Sequence, residues 1–149
     1  MARIHIASDH AGYALKQELK QHLTAQGHDV TDHGCDAPAS CDYPHFAHSL
    51  CEAVLAEPDG RGILICGTGI GMSIAANRHE GIRAALCTNE FLARATRMHN
   101  NANVLCLGER VVGAGLAASI TDVFLGTEYE GGRHQRRIDL IELSAAKHA

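Results

Sequence analysis

The chain has 149 residues, 46% of them hydrophobic and 20% charged, with a formal net charge of −4. That length suits one domain over residues 1–149 with a single sizeable core, and the acidic balance excludes nucleic acid as a default partner, because phosphate backbones recruit basic surfaces. No run approaches a membrane span and the opening MARIHIASDH lacks the apolar stretch of a signal peptide, so the chain is expected to be cytoplasmic, without a membrane partner and with its cysteines reduced.

Short β-branched runs alternate with helical patterns along nearly the whole chain. A first strand is predicted over Arg3–Ser8, followed by Asp9 and His10, then a helix over Tyr13–Gln26 striped by Leu15, Leu19 and Leu23. A second strand over His28–His33 leads through GCDAPASCDY to a helix over Pro44–Glu57. Cys35, Cys41, His45, His48 and Cys51 in this stretch match no familiar zinc spacing, so no metal is expected there. Strands over Gly62–Cys66, Ile82–Cys87 and Asn103–Leu107 are followed by helices over Gly71–His79, Glu90–His99 and Ala114–Leu125. Past a hinge at Tyr129, Glu130, Gly131 and Gly132, a last helix is predicted from about Arg133 to Lys147. Strict alternation implies an α/β fold: a three-layer α/β/α sandwich on a five-stranded parallel, Rossmann-like sheet. Ligands of such sheets sit beyond the carboxyl ends of the strands, where strand order reverses. A reversal between the first and third strands would bring Ser8-Asp9-His10 and Cys66-Gly67-Thr68-Gly69 to one crevice.

The third strand breaks into glycines in GILICGTGIGMSIAANR. The spacing is not the G-x-G-x-x-G of a dinucleotide fingerprint, it does not follow the first strand, and no Lys-Ser/Thr follows as in a P-loop. Several backbone N–H groups close together at a helix start nevertheless favour negative charge, whether bound or formed during reaction. A thiol beside such a turn gains thiolate character, which makes Cys66 a candidate base or nucleophile; a buried strand-end cysteine is the plainer alternative. Thr68 offers a hydroxyl or simple turn chemistry. Asp9 and His10 suit hydroxyl recognition and anion contact, or a helix cap and a solvent-facing ring. His99 and Asn100 fall on the opposite pole of the sheet from Cys66, so they are helix-end residues or serve a neighbouring subunit's cleft. Arg110 follows the fifth strand and can cap that edge. Arg133, His134, Arg136 and Arg137 form a basic cluster in an acidic chain, with Arg133 and Arg137 on one helical face, a solvated face or a forked phosphate contact.

Taken together, ASDHAGYALK, DYPHFA, ILICGTGIGMSIAANR, GIRAALC, RMHNNANVLCLGERVVG and FLGTEYEGGRHQRRI resemble the type B ribose-5-phosphate isomerases, whose family also holds allose-6-phosphate and galactose-6-phosphate isomerases. The resemblance implies ring opening and then proton transfer between C1 and C2 through an enediolate, a step of pentose phosphate metabolism, with no metal or organic cofactor. It implies Cys66 as the base for C2, His99 as the group assisting ring opening with support from Thr68, and Asp9 on substrate hydroxyls. The backbone of Gly67, Thr68, Gly69, Ile70 and Gly71 would hold the enediolate oxygen. His10, Arg110, Arg133 and Arg137 would surround the phosphate and Asn100 would contact the sugar. Members lacking the cysteine use a glutamate that would fall at Met72. The family is dimeric with clefts shared between subunits, which suits the position of His99 and Asn100. Outside this class, a nucleotide-binding module would need an acidic ribose contact, for which Asp32 and His33 are the candidates, and a thiol redox or zinc protein would need chemistry at Cys35 and Cys41.

Overall fold

Runs of isoleucine, leucine and valine buried on both faces build one parallel sheet, as the alternation implies. A computed structural model describes residues 3–146. Its strands are β1 (Arg3–Ser8), β2 (Asp29–Asp32), β3 (Arg61–Cys66), β4 (Ala84–Leu86) and β5 (Val104–Gly108), in the order β2-β1-β3-β5-β4. The pairs Ile6–Ile63 and Ile63–Leu105 set the register at its centre. The chain leaves β1 outward to β2 and then crosses to β3 on β1's other side, so strand order reverses between β1 and β3, where the sequence placed a crevice.

Side chains alternate along each strand and sort into two cores. From β3, Ile63 and Ile65 pack with Ile4, Ile6 and Leu105 against α1 (Tyr13–Ala25), α4 (Glu90–Asn100) and α5 (Ala114–Gly126). Leu64 and Cys66 face the other way, with Ala7 and Cys106, onto α2 (Tyr43–Leu55) and α3 (Ile70–Ala76). Each such aliphatic side chain contributes about 2 kcal/mol on burial. Among the described residues no helix is long and apolar enough to cross a membrane.

Two expectations change. β4 keeps only three residues because side chains flank it: the amide of Arg83 donates to Asn103 Oδ1 and that of Ala84 to Asn77 Oδ1, both at 2.8 Å. The last helix does not run through. It breaks into α6 (Arg133–Asp139) and α7 (Leu143–Ala146), and Lys147 lies outside the described residues. The Leu140 and Ile141 amides bond three residues back, to Arg137 and Ile138, which tightens the final turn. Glu142 then accepts the Gly81 amide at 2.8 Å and Ser144 donates to Glu80, tethering the chain to the turn before β4.

Lys16 on α1 is fully buried. Its Nζ donates to Asp32 Oδ1 at 2.9 Å and to the Cys35 carbonyl, fastening the end of β2 and the loop after it to α1. At the end of β1, Ser8 donates to Gly34 O and Cys35 to Ser8 O. Burial pushes the Asp32 carboxyl up, but hydrogen bonds from Lys20, Lys16 and the Gly34 amide outweigh it and hold it below the usual carboxylate range. Stability from a depressed carboxyl is present above its unfolded pKa and lost as pH falls through the folded one. Lys16→Ala is therefore expected to cost about 3 kcal/mol in urea unfolding near neutral pH, with a shallower loss of stability into acid than the wild-type chain. A cost below about 1 kcal/mol would assign the loop's anchorage to Lys20 alone.

Candidate active site

β3 ends in Cys66, and the chain turns through Gly67-Thr68-Gly69 into α3. Cys66 is 5% exposed and its Sγ accepts the Gly69 amide at 3.1 Å. Position 69 admits only glycine: its φ is +80°, and a Cβ would lie 2.5 Å from Leu86 Cδ1 and 2.9 Å from the Leu107 carbonyl carbon. Thr68 Oγ1 accepts the Ile70 amide at 3.2 Å, so the turn role expected of this hydroxyl is filled. The exit of β5 braces the turn, with Glu109 N bonded to Cys66 O and Arg110 N to Gly67 O. The Arg110 guanidinium lies over Gly67, 3.3 Å from where a Cβ would sit.

The end of β1 lies alongside. Asp9 N donates to Ile65 O, and the buried Asp9 carboxylate accepts the Gly12 amide at 3.1 Å, capping the short 3-10 turn His10–Gly12. The capping role is real, and Asp9 also lines a cleft of about 590 Å³ with His10, Cys41, Tyr43 and His45. His10 Nδ1 accepts the Cys41 amide at 3.3 Å, which in the neutral ring places the proton on Nε2 as a donor. Sequence reasoning missed Tyr43. Its ring packs against Gly71, 2.5 Å from where a Cβ would sit, and joins this cleft to the glycine turn. The signal was its place at the start of α2 beside Pro44.

A second cleft, about 360 Å³, is lined by His99, Asn100, Arg133, His134, Arg137, Ile138 and Ile141. On α6, His134 and Ile138 point into the protein while Arg133 and Arg137 are exposed beside them, the shared arginine face expected from their spacing. His99, in the last turn of α4, stacks on His134 with ring centres 4.6 Å apart. Glu130 was missed: its Oε2 lies 3.1 Å from His134 Nε2 and 4.0 Å from His99 Nε2. Only its four-residue spacing from His134 hinted at this.

One chain thus gathers Asp9, His10, Cys66, the Gly67–Gly71 turn and Arg110 at the carboxyl end of the sheet. His99, Asn100, Arg133 and Arg137 gather at the other end, because α4 starts beyond β4 and runs back to the start of β5. Among the described residues, the clefts lined by Asp9 and by His99 have no residue in common. A larger hollow of about 730 Å³, lined by Arg3, Glu57, Asp59 and Arg61 among others, holds none of the expected site residues. Its Arg3 is paired with Glu57 and Asp29. Asp32, the candidate ribose contact of a dinucleotide site, is occupied by Lys16 and Lys20.

Residues 4–141 match the ribose/galactose isomerase family. The chain belongs to that family. It is 49% identical over 142 residues to the ribose-5-phosphate isomerase B of Escherichia coli K12, covering 95% of each chain. A structure of Clostridium thermocellum ribose-5-phosphate isomerase B matches it with a TM-score of 0.94 at 50% identity over 99% of both chains. The type B enzyme of Leishmania infantum matches with a TM-score of 0.91 at 43% identity over the whole of both. The resemblance read from the motifs is borne out, as is the parallel α/β fold. Within the ribose/galactose isomerase family, the resemblance put an alternative glutamate base at position 72. Met72 is fully buried in the core under α2 and α3 and carries no ionisable group.

Proposed function

We propose that this chain is an aldose–ketose isomerase that interconverts D-ribose 5-phosphate and D-ribulose 5-phosphate in the cytoplasm. The observation that carries the reading is the Cys66 thiol, which accepts the Gly69 amide at the carboxyl end of β3, beside the point where strand order reverses, in a chain of this family. Proton removal beside a carbonyl needs a positioned base, worth about 10²–10⁴ in rate, and donors aimed at the oxygen that becomes charged, worth about 10²–10³ each. Cys66 takes the C2 proton, the enediolate oxygen meets the Gly67–Gly71 turn, where the Gly69 and Ile70 amides already serve Cys66 Sγ and Thr68 Oγ1 and the others remain for it, and the proton returns at C1. Asp9 binds substrate hydroxyls. His99, supported by Thr68, moves the proton that opens the ring, and Asn100 contacts the sugar. His10 through Nε2, Arg110, Arg133 and Arg137 hold the phosphate, with forked contacts from the arginines. The scheme uses no metal or organic cofactor.

The separation of the two clefts supports a homodimer in which each site takes Cys66 from one subunit and His99 from the other. Apolar side chains left in solvent agree: Ile70 and Ile74 share a face of α3 at 52% and 56% exposure, and Phe91 is 71% exposed. The purified protein is to be assayed with ribose 5-phosphate, allose 6-phosphate and galactose 6-phosphate. The expected result is the highest kcat/KM on ribose 5-phosphate. Preference for a six-carbon substrate would reassign the substrate within the same chemistry, and no turnover of any of the three would overturn the reading.

A further inference from the structure

The cleft at the end of α4 gathers three good metal ligands. One donor atom from each of His99, Glu130 and His134 lies within 4.8 Å of the others, with Glu130 Oε2 at 3.1 Å from His134 Nε2 and 4.0 Å from His99 Nε2. Ligand atoms about 2.0–2.2 Å from a tetrahedral zinc ion are roughly 3.3 Å apart, a separation that falls between those two distances. The backbone holds the three together: Glu130 N donates to Met98 O beside His99, and His134 N to Gly131 O. His134 is nearly buried, while the side chains of His99 and Glu130 are 45% and 43% exposed, so an ion can reach them from solvent. Two imidazoles and one carboxylate with open positions are a donor set for zinc and its neighbours in the transition series, not for magnesium or calcium.

We infer that His99, Glu130 and His134 form a binding site for a divalent transition-metal ion of the zinc class, and that the bound ion inhibits the isomerase by occupying the His99 ring nitrogen. The inhibition rests on the role given to His99 under Proposed function; the binding does not. Arg133 and Arg137 line the same cleft. Their positive charge opposes the cation and holds its affinity below that of a closed structural zinc site, although both side chains are exposed and screened by salt. The ion is therefore a reversible inhibitor and not a folding element.

The test uses untagged protein stripped with a chelator. Cobalt(II) is bound under equilibrium dialysis and followed by its visible spectrum, and isomerase activity is titrated with zinc(II). Wild type is expected to bind a cobalt ion whose spectrum lacks thiolate charge transfer, and to lose activity with zinc and regain it with chelator. Glu130→Gln and, independently, His134→Asn should abolish that cobalt spectrum and raise the zinc needed for half-inhibition about tenfold or more. A thiolate spectrum in wild type would place the ion at a cysteine, and unchanged zinc sensitivity in both variants would place the inhibiting ion elsewhere; either result overturns the site. Cobalt bound and lost in the variants, with no sugar-phosphate turnover in wild type, would keep the metal site and sink the functional reading. Turnover without cobalt binding would do the reverse.

Discussion

Cys66→Ala is expected to lower kcat for ribose 5-phosphate by about 10³-fold or more while leaving the fold intact. The side chain is small and 5% exposed, so losing its sulfur costs only about 1 kcal/mol of packing. Thermal unfolding of the variant should therefore lie within a few degrees of wild type. The substitution removes the one thiol that sits at the glycine turn and accepts one of its amides. The other core thiols are the control. Burial pushes Cys51 up to about 12 and Cys87 up to about 11, and Cys106, wholly enclosed, well above its usual value. At neutral pH these three are apolar packing groups. Cys51→Ala and Cys106→Ala should lower stability by similar amounts and leave kcat near wild type. A Cys66→Ala enzyme that keeps more than about a tenth of its activity would move the base to another residue.

The sequence carried most of this fold because its signals were local. β-Branched runs and the leucine stripe of α1 report burial directly, and five alternations with helices leave little choice but a parallel sheet. The crevice was legible for the same reason, since both strand ends carry their own markers, Asp9-His10 and Cys66-Gly67. What failed to show were arrangements made by residues far apart in the chain. β4 is shortened by the amide side chains of Asn77 and Asn103, and the final helix is interrupted where Glu142 reaches Gly81. Neither contact leaves a mark in local periodicity. Lys16 reads as a solvent residue of an amphipathic helix, yet Asp32 and the Cys35 carbonyl make its complete burial tolerable. Tyr43 and Glu130 were given no site role because a tyrosine beside a proline and a glutamate in a glycine-rich hinge have ordinary roles. Only the packing of Gly71 and the stacking of His99 on His134 give them others.

Two inactive variants mixed in one dimer are expected to restore activity that neither has alone. Cys66 closes β3 at the carboxyl end of the sheet and His99 lies in the last turn of α4 at the other, so under the proposed roles a single chain would offer two half-sites. Two-fold pairing would bring Cys66 of one subunit to His99 of the next, twice over. Cys66→Ala and His99→Asn homodimers would then each hold two broken sites. In the mixed dimer one site collects both substitutions and the other collects neither. Random assortment makes half the dimers mixed, each with one intact site of two, so co-refolding equal amounts should recover about a quarter of wild-type activity. If Cys66 and His99 instead served one site within a chain, every site in the mixture would carry one lesion and nothing would be recovered. The recovered fraction discriminates because it depends on which chain supplies each residue and not on how strongly either acts. Size-exclusion chromatography of the mixture under assay conditions completes the test, for recovery must track the dimer and vanish from any monomer fraction.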